Sequence, residues 1–156
     1  MAELPTPDAA GRPDITMTRV FDAPRERVWK EWTEPARFAD WYGGTQAEVP
    51  VDTVSMDVRE GGAWRATMFA DDREIEWHGE YREVVEPERL VFTVSDRPGD
   101  EYELVTVVLT DLGDGQTEML FQQRGGMTPE QYGQAEKGWS GFFDRMAERL
   151  ADPSLG

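Results

Sequence analysis

The chain has 156 residues, enough for one domain that buries about 68–70% of the surface its unfolded chain would expose. Its 32 acidic residues against 16 basic ones give a formal charge of −16, a surface that repels nucleic acid and anionic membranes because phosphate recognition needs Lys and Arg. There is no cysteine, which excludes disulfides, a thiolate nucleophile and any Cys-based metal site.

Residues 1–14 contain three prolines, Ala9-Ala10-Gly11 and few large apolar groups, and read as a disordered leader. The leader has neither a basic start nor an apolar stretch, so it is not a secretory signal, and a cytoplasmic location is expected by default. No run approaches the roughly 18 apolar residues of a membrane span, so no membrane insertion is expected. From Ile15 the sequence "ITMTRVFD" alternates as a strand. Asp22 then offers a cap for a helix beginning near Pro24, with Val28, Trp29 and Trp32 along its inner side. A second short helix follows in "EPARFADWYGG", stopped by Gly43-Gly44.

The middle of the chain has period 2. In "VSMDV", Val54, Met56 and Val58 share a face. "EGG" turns into "AWRATMFA", where Trp64, Ala66 and Met68 align. "ADDR" turns into "IEWHGEYREVV", which sets Ile75, Trp77, Gly79 and Tyr81 against Glu76, His78, Glu80 and Arg82. The segments "LVFTVS", "YELVTVVLTDL" and "TEMLFQQRG" complete about six antiparallel strands after the first.

The closing segment, residues 128–150, reads as a long amphipathic helix. Thr128 and Gln131 fit a capping box and Pro129 the first helical position. Tyr132, Ala135, Trp139, Phe142, Phe143, Met146 and Leu150 recur every three or four residues in a stripe about 100° wide. Gly138 borders that stripe and Gly141 lies farther round. A glycine inside a helix costs roughly 1 kcal/mol relative to alanine, so a close approach, by a strand or by a guest molecule, is expected at Gly138. A meander of this length curls strongly, and the aromatic helix is the natural filler of its concave face.

"FDAPRERVWKEWTEPARFADWYG", "VREGGAWRATM", "GEYREVVEPERLVFT" and "EKGWSGFFDRMAERL" resemble, in order and spacing, homologues of the activator of heat-shock-protein-90 ATPase, within the START-like (SRPBCC) superfamily. The likeness spans about residues 15–151. It implies an α+β helix-grip fold: a curved antiparallel sheet wrapped around the long C-terminal helix, with two short helices after the first strand. The organisation is then a 1–14 leader, a 15–151 helix-grip domain and a 152–156 tail.

Chemical motifs are few. His78 is the sole histidine and, by alternation, faces away from Trp77 and Tyr81; no zinc site or other metal site is expected from one His without Cys. Asp71-Asp72 and the 111–114 region fall in turns, as do Gly61-Gly62, Gly125-Gly126 and "GDG". No phosphate-binding loop, nucleophile elbow or zinc-helix motif is present, so no catalytic residue and no cofactor is assigned.

The resemblance implies a cavity under the helix, and inward parity combined with the helix stripe assigns its lining to Trp64, Met68, Trp77, Tyr81, Phe121, Gly138, Trp139 and Phe143. The leading expectation is non-catalytic binding of a small hydrophobic molecule of roughly 15–30 heavy atoms in a pocket of about 300–1,000 Å³. Three alternatives stay open. One is a cyclase or aromatase-like enzyme acting on polyketides. A second is a self-sacrificing resistance protein that intercepts an enediyne beside Gly138, Gly125 or Gly126. The third is a chaperone partner, for which a 14-residue leader is too short to replace the separate chaperone-binding domain of the eukaryotic activator.

Overall fold

The computed structural model describes residues 14–96 and 102–152. The expectations for the leader before Asp14 and for the tail after Asp152 fall outside the described residues. Strand β1 (Ile15–Phe21) is followed by helices α1 (Arg25–Thr33) and α2 (Pro35–Trp41), then by a 3-10 turn over Val51–Thr53. Strands β2 (Ser55–Met56), β3 (Ala63–Ala70), β4 (Arg73–Val85), β5 (Arg89–Val94), β6 (Glu103–Gly113) and β7 (Gln116–Arg124) follow, and α3 (Pro129–Leu150) closes the domain.

The seven strands form one antiparallel sheet in the order β1-β7-β6-β5-β4-β3-β2. Consecutive strands from β2 to β7 are neighbours, as short turns dictate, and β1 returns to pair with β7. The curved sheet holds α3 against it, giving the α+β helix-grip architecture.

Two local expectations are met differently. Helix α1 is capped by Pro24 in extended conformation, with no side-chain cap, so Asp22 lies outside the cap position. The strand expected over residues 54–58 shortens to Ser55–Met56, because the chain pairs with β3 only there before turning. Elsewhere the signals hold. Gly43 (φ 100°) and Gly44 (φ 64°) take the left-handed conformation that ends α2. The Thr128 hydroxyl accepts from the Gln131 N–H at 3.1 Å, and the Gln131 side chain accepts from the Thr128 N–H at 2.8 Å.

The core is aromatic. Trp32 packs edge-on to Trp41, with centroids 4.8 Å apart, and Phe121 lies 4.6 Å from Trp139 and 5.2 Å from Phe143. Phe121, Phe143 and Met146 are fully buried, which places the α3 stripe on the inner face of the sheet. Each such side chain contributes about 1.5–3 kcal/mol of transfer free energy.

At the other end of α3, a buried ion pair ties three helices together. Arg149 donates to Glu31 of α1 at 2.8 and 3.2 Å and also to Asp40 of α2. Burial works against the Arg149 charge, but Glu31, by hydrogen bond and Coulomb attraction, and Asp40 outweigh it and push its pKa upward. Arg27 donates to the carbonyls of Leu150 at 3.0 Å and Arg149 at 3.2 Å, satisfying acceptors left open where α3 ends. The C-terminal half of α3 is thus clamped.

Candidate functional site

The N-terminal half of α3 is held differently. Between it and the ends of β4 to β7 runs a cleft of about 770 Å³, open on one side. Helix α3 supplies Gln131, Ala135, Gly138, Trp139 and Phe142, and Tyr42 comes from the end of α2. The sheet supplies Trp77 of β4, Val94, Ser95 and Asp96 where β5 ends, Tyr102 and Glu103 where β6 begins, and Gln123 of β7, with Gly126 and Met127 beyond it.

One side of this cleft is a panel of aromatic rings. Tyr42 stands 6.4 Å from Trp77, 5.9 Å from Trp139 and 5.3 Å from Phe142, centroid to centroid, and Trp139 and Phe142 are 5.5 Å apart. Such tilted and edge-on pairs reinforce one another beyond simple area burial. The Trp77 indole N–H is shielded and meets no acceptor among the described residues.

The other side is a polar chain built on Glu103. The Trp139 indole N–H donates to Gln123 Oε1 at 2.8 Å, and Gln123 Nε2 donates to Glu103 Oε1 at 3.1 Å. Indole is only a donor and the carboxylate here accepts, so the Gln123 amide has one consistent orientation. Glu103 Oε2 accepts from the Gly126 N–H at 3.1 Å, and nearby the Tyr132 hydroxyl accepts from the Met127 N–H at 3.2 Å. A Cβ on Gly125 would stand 1.9 Å from Glu103 Oε2, so this glycine is what lets the carboxylate nest against the loop.

Two phenols, Tyr42 of the lining and Tyr132 behind it, are held in the neutral form. Burial raises the Tyr42 pKa above the ordinary tyrosine value, and the charge of Asp96 adds to it. Burial also raises Tyr132, opposed by its bond from Met127 and assisted by Glu103.

Of the eight residues that sequence parity assigns to the lining, Trp77, Gly138 and Trp139 stand in the cleft wall. Trp64, Met68, Tyr81, Phe121 and Phe143 are buried in the core behind it. Trp64 and Tyr81 instead border a void of about 10 Å³, too small for any guest larger than water. His78 is outside the cleft lining; its backbone exchanges hydrogen bonds with Ser95 at 3.0 and 2.9 Å. Gly126 and Gly138 line the cleft and Gly125 does not.

Gly138 is not pressed by the protein. Among the described residues a Cβ there would meet nothing within 4 Å, so no described strand needs its missing side chain, and the space it leaves belongs to the cleft. Gly141 likewise faces open space, and nothing in the structure explains it beyond the passage of the Gly44 loop near its carbonyl.

The polar members that parity reasoning passed over carried a readable signal. Gln123 continues the buried series Thr117, Met119, Phe121, and Glu103 precedes Val105, Val107 and Leu109 at the same parity. A polar residue that extends an inward apolar series at a strand end marks a site or an orphan.

The family described as "Activator of Hsp90 ATPase homolog 1-like protein" matches residues 22–151. Among solved structures, protein CV1439 from Chromobacterium violaceum is 26% identical with a TM-score of 0.76, over 88% of this chain and 97% of that one. A protein from Silicibacter pomeroyi is 22% identical with a TM-score of 0.77, over 88% and 96%. DynU16, encoded in the dynemicin biosynthetic locus, is 24% identical with a TM-score of 0.70; 88% of this chain aligns with 46% of that one. No curated protein matches the sequence. No helix among the described residues is long and apolar enough to cross a membrane.

Proposed function

We propose that this chain, which belongs to the Activator of Hsp90 ATPase homolog 1-like family, is a non-catalytic binding module for a small hydrophobic molecule held between α3 and the sheet. The observation that carries this reading is the cleft of about 770 Å³, floored by the rings of Tyr42, Trp77, Trp139 and Phe142. That volume lies in the range of sites for drug-sized ligands, and the part-exposed Trp77 and Phe142, backed by the buried Tyr42 and Trp139, offer apolar contact at little entropic cost. Gly138 supports it further, since a helix interior tolerates glycine at a cost and here the vacant position opens on the cleft rather than on protein. A cytoplasmic setting accords with this reading. A chaperone contact, which the family's description invites, is no part of it.

The test is native mass spectrometry of the purified protein against a panel of lipids and polycyclic aromatics, followed by thermal shift with each hit. One-to-one adducts that survive in wild type and weaken in Gly138→Phe support the reading. Negligible adducts and shifts across the panel overturn it.

A second reading is an enzyme, favoured by one observation: the Glu103 carboxylate lines the cleft, and the Tyr132 phenol stands close enough behind it for that charge to raise its pKa. Such a pair has the elements of acid–base catalysis on a bound cyclising substrate. Turnover of a bound guest that Glu103→Gln abolishes without loss of binding decides for the enzyme.

A further inference from the structure

We infer that the cleft, taken as the binding site just proposed, selects aromatic guests bearing a cationic ammonium group and discriminates against carboxylates. The aromatic side presents Tyr42, Trp77, Trp139 and Phe142, and the negative faces of such rings attract a cation within about 6 Å. The same lining contains two carboxylates, Asp96 and Glu103, and no Lys or Arg among its described residues.

Two groups bond to Glu103, the Gln123 amide and the Gly126 N–H. Both are neutral. They orient the carboxylate without cancelling its charge, so its field reaches into the cleft. Arg82 lies over the Tyr102 ring at 5.1 Å, but it is outside the lining and is paired with Glu80 at 3.0 Å. The Asp96 charge acts on the same aromatic panel, since it helps suppress ionisation of Tyr42. The rings, the Glu103 carboxylate with its neutral partners and a described lining without Lys or Arg together favour a positive guest group over a neutral one, and a neutral one over an anion. A fatty acid or other free carboxylate is the guest this chemistry rejects.

The experiment uses the full chain and three guests built on one naphthalene scaffold: a trimethylammonium, its uncharged tert-butyl isostere and a carboxylate. Calorimetry at low and at 0.5 M salt reads each affinity. The inference expects the ammonium guest to bind about tenfold more tightly than the isostere and about a hundredfold more tightly than the carboxylate. Salt should shrink both ratios. In Asp96→Asn and Glu103→Gln the ratio of ammonium to isostere affinity should fall about threefold or more. That control separates the cleft from the general acidity of the surface, because each variant removes only one unit from a formal charge of −16.

Equal affinities for the ammonium and its isostere overturn the inference and leave the binding site standing. A preference that survives unchanged in both variants also overturns it, by assigning the selectivity to the surface at large. If none of the three binds at millimolar concentration while lipids of the first panel do, the inference fails alone. If nothing binds in either experiment, it falls together with the proposed function.

Discussion

The indole N–H of Trp139 donates to the side-chain carbonyl of Gln123 at 2.8 Å, both residues being buried, and this bond joins α3 to β7 at the edge of the cleft. Trp139 therefore serves two roles at once, packing on Phe121 and anchoring the polar chain that runs through Gln123 to Glu103. Trp139→Ala is expected to cost about 3–5 kcal/mol by loss of the ring and its contacts. Trp139→Phe keeps most of the packing but strands the Gln123 acceptor, for an expected loss of about 1–3 kcal/mol. Urea denaturation of both variants checks the order; a loss under 1 kcal/mol for the alanine variant would remove Trp139 from the core.

Gly138 separates stability from binding. Because a Cβ there meets nothing among the described residues, Gly138→Ala is expected to stabilise the protein by about 0.5–1 kcal/mol through helix propensity. Gly138→Phe should keep its fold and lose guest affinity by tenfold or more, since the ring occupies the cleft. A melting temperature that drops in the alanine variant contradicts the open geometry.

Two other glycines contrast with it. A Cβ on Gly79 would lie 1.7 Å from the Thr93 carbonyl oxygen and 2.5 Å from Trp64 Nε1, at the point where the Trp64 indole donates to that carbonyl at 2.9 Å. Backbone cannot step aside there, so Gly79→Ala is expected to cost about 3 kcal/mol or more. Gly125→Ala meets only the end of the Glu103 side chain, which can swing away. Its expected loss is about 1–2 kcal/mol, that of the severed hydrogen bonds. Chemical denaturation of the two variants side by side tests the ranking, and equal losses would refute it.

Tyr42, Tyr81 and Tyr132 all have their pKa values raised, burial being the largest cause in each. A raised folded-state value means the neutral form is favoured in the fold. The stability it reflects is fully present below the unfolded value of about 10 and is lost as pH rises from there toward the folded values. The expected outcome is a denaturation midpoint that tyrosine ionisation leaves unchanged up to about pH 9.5 and that falls above pH 10. Each of the three contributes a slope of up to about 1.4 kcal/mol per pH unit. Phenolate absorbance from these three should then appear in step with unfolding. Ionisation of these three residues in a fully folded protein near pH 10 would count against their burial.

Much of the fold was legible because its signals are local. The period-2 runs give the strands, the three-and-four spacing from Tyr132 to Leu150 gives α3, and the Thr128–Gln131 box fixes where that helix begins. Local signals failed where contacts beyond the segment decide the outcome. Asp22 is an apt capping residue, yet Pro24 takes the cap position two residues later. The strand around Met56 shortened because its length depends on a partner, not on its own alternation.

The sequence by itself determined which residues turn inward, and for Phe121, Phe143, Trp77 and Trp139 it assigned one common face. Only the tertiary structure decided that Phe121 and Phe143 fill the core while Trp77 and Trp139 border open space. Parity is a property of one strand and a stripe is a property of one helix. A cleft is a gap between them. It exists where α3 is clamped at its C-terminal half by Glu31, Arg149 and Arg27 while its N-terminal half, lined with Ala135 and Gly138, faces the polar ends of the strands. Small residues on the helix and polar residues at inward parity leave that end of the interface unfilled, because neither supplies the apolar volume needed to close it.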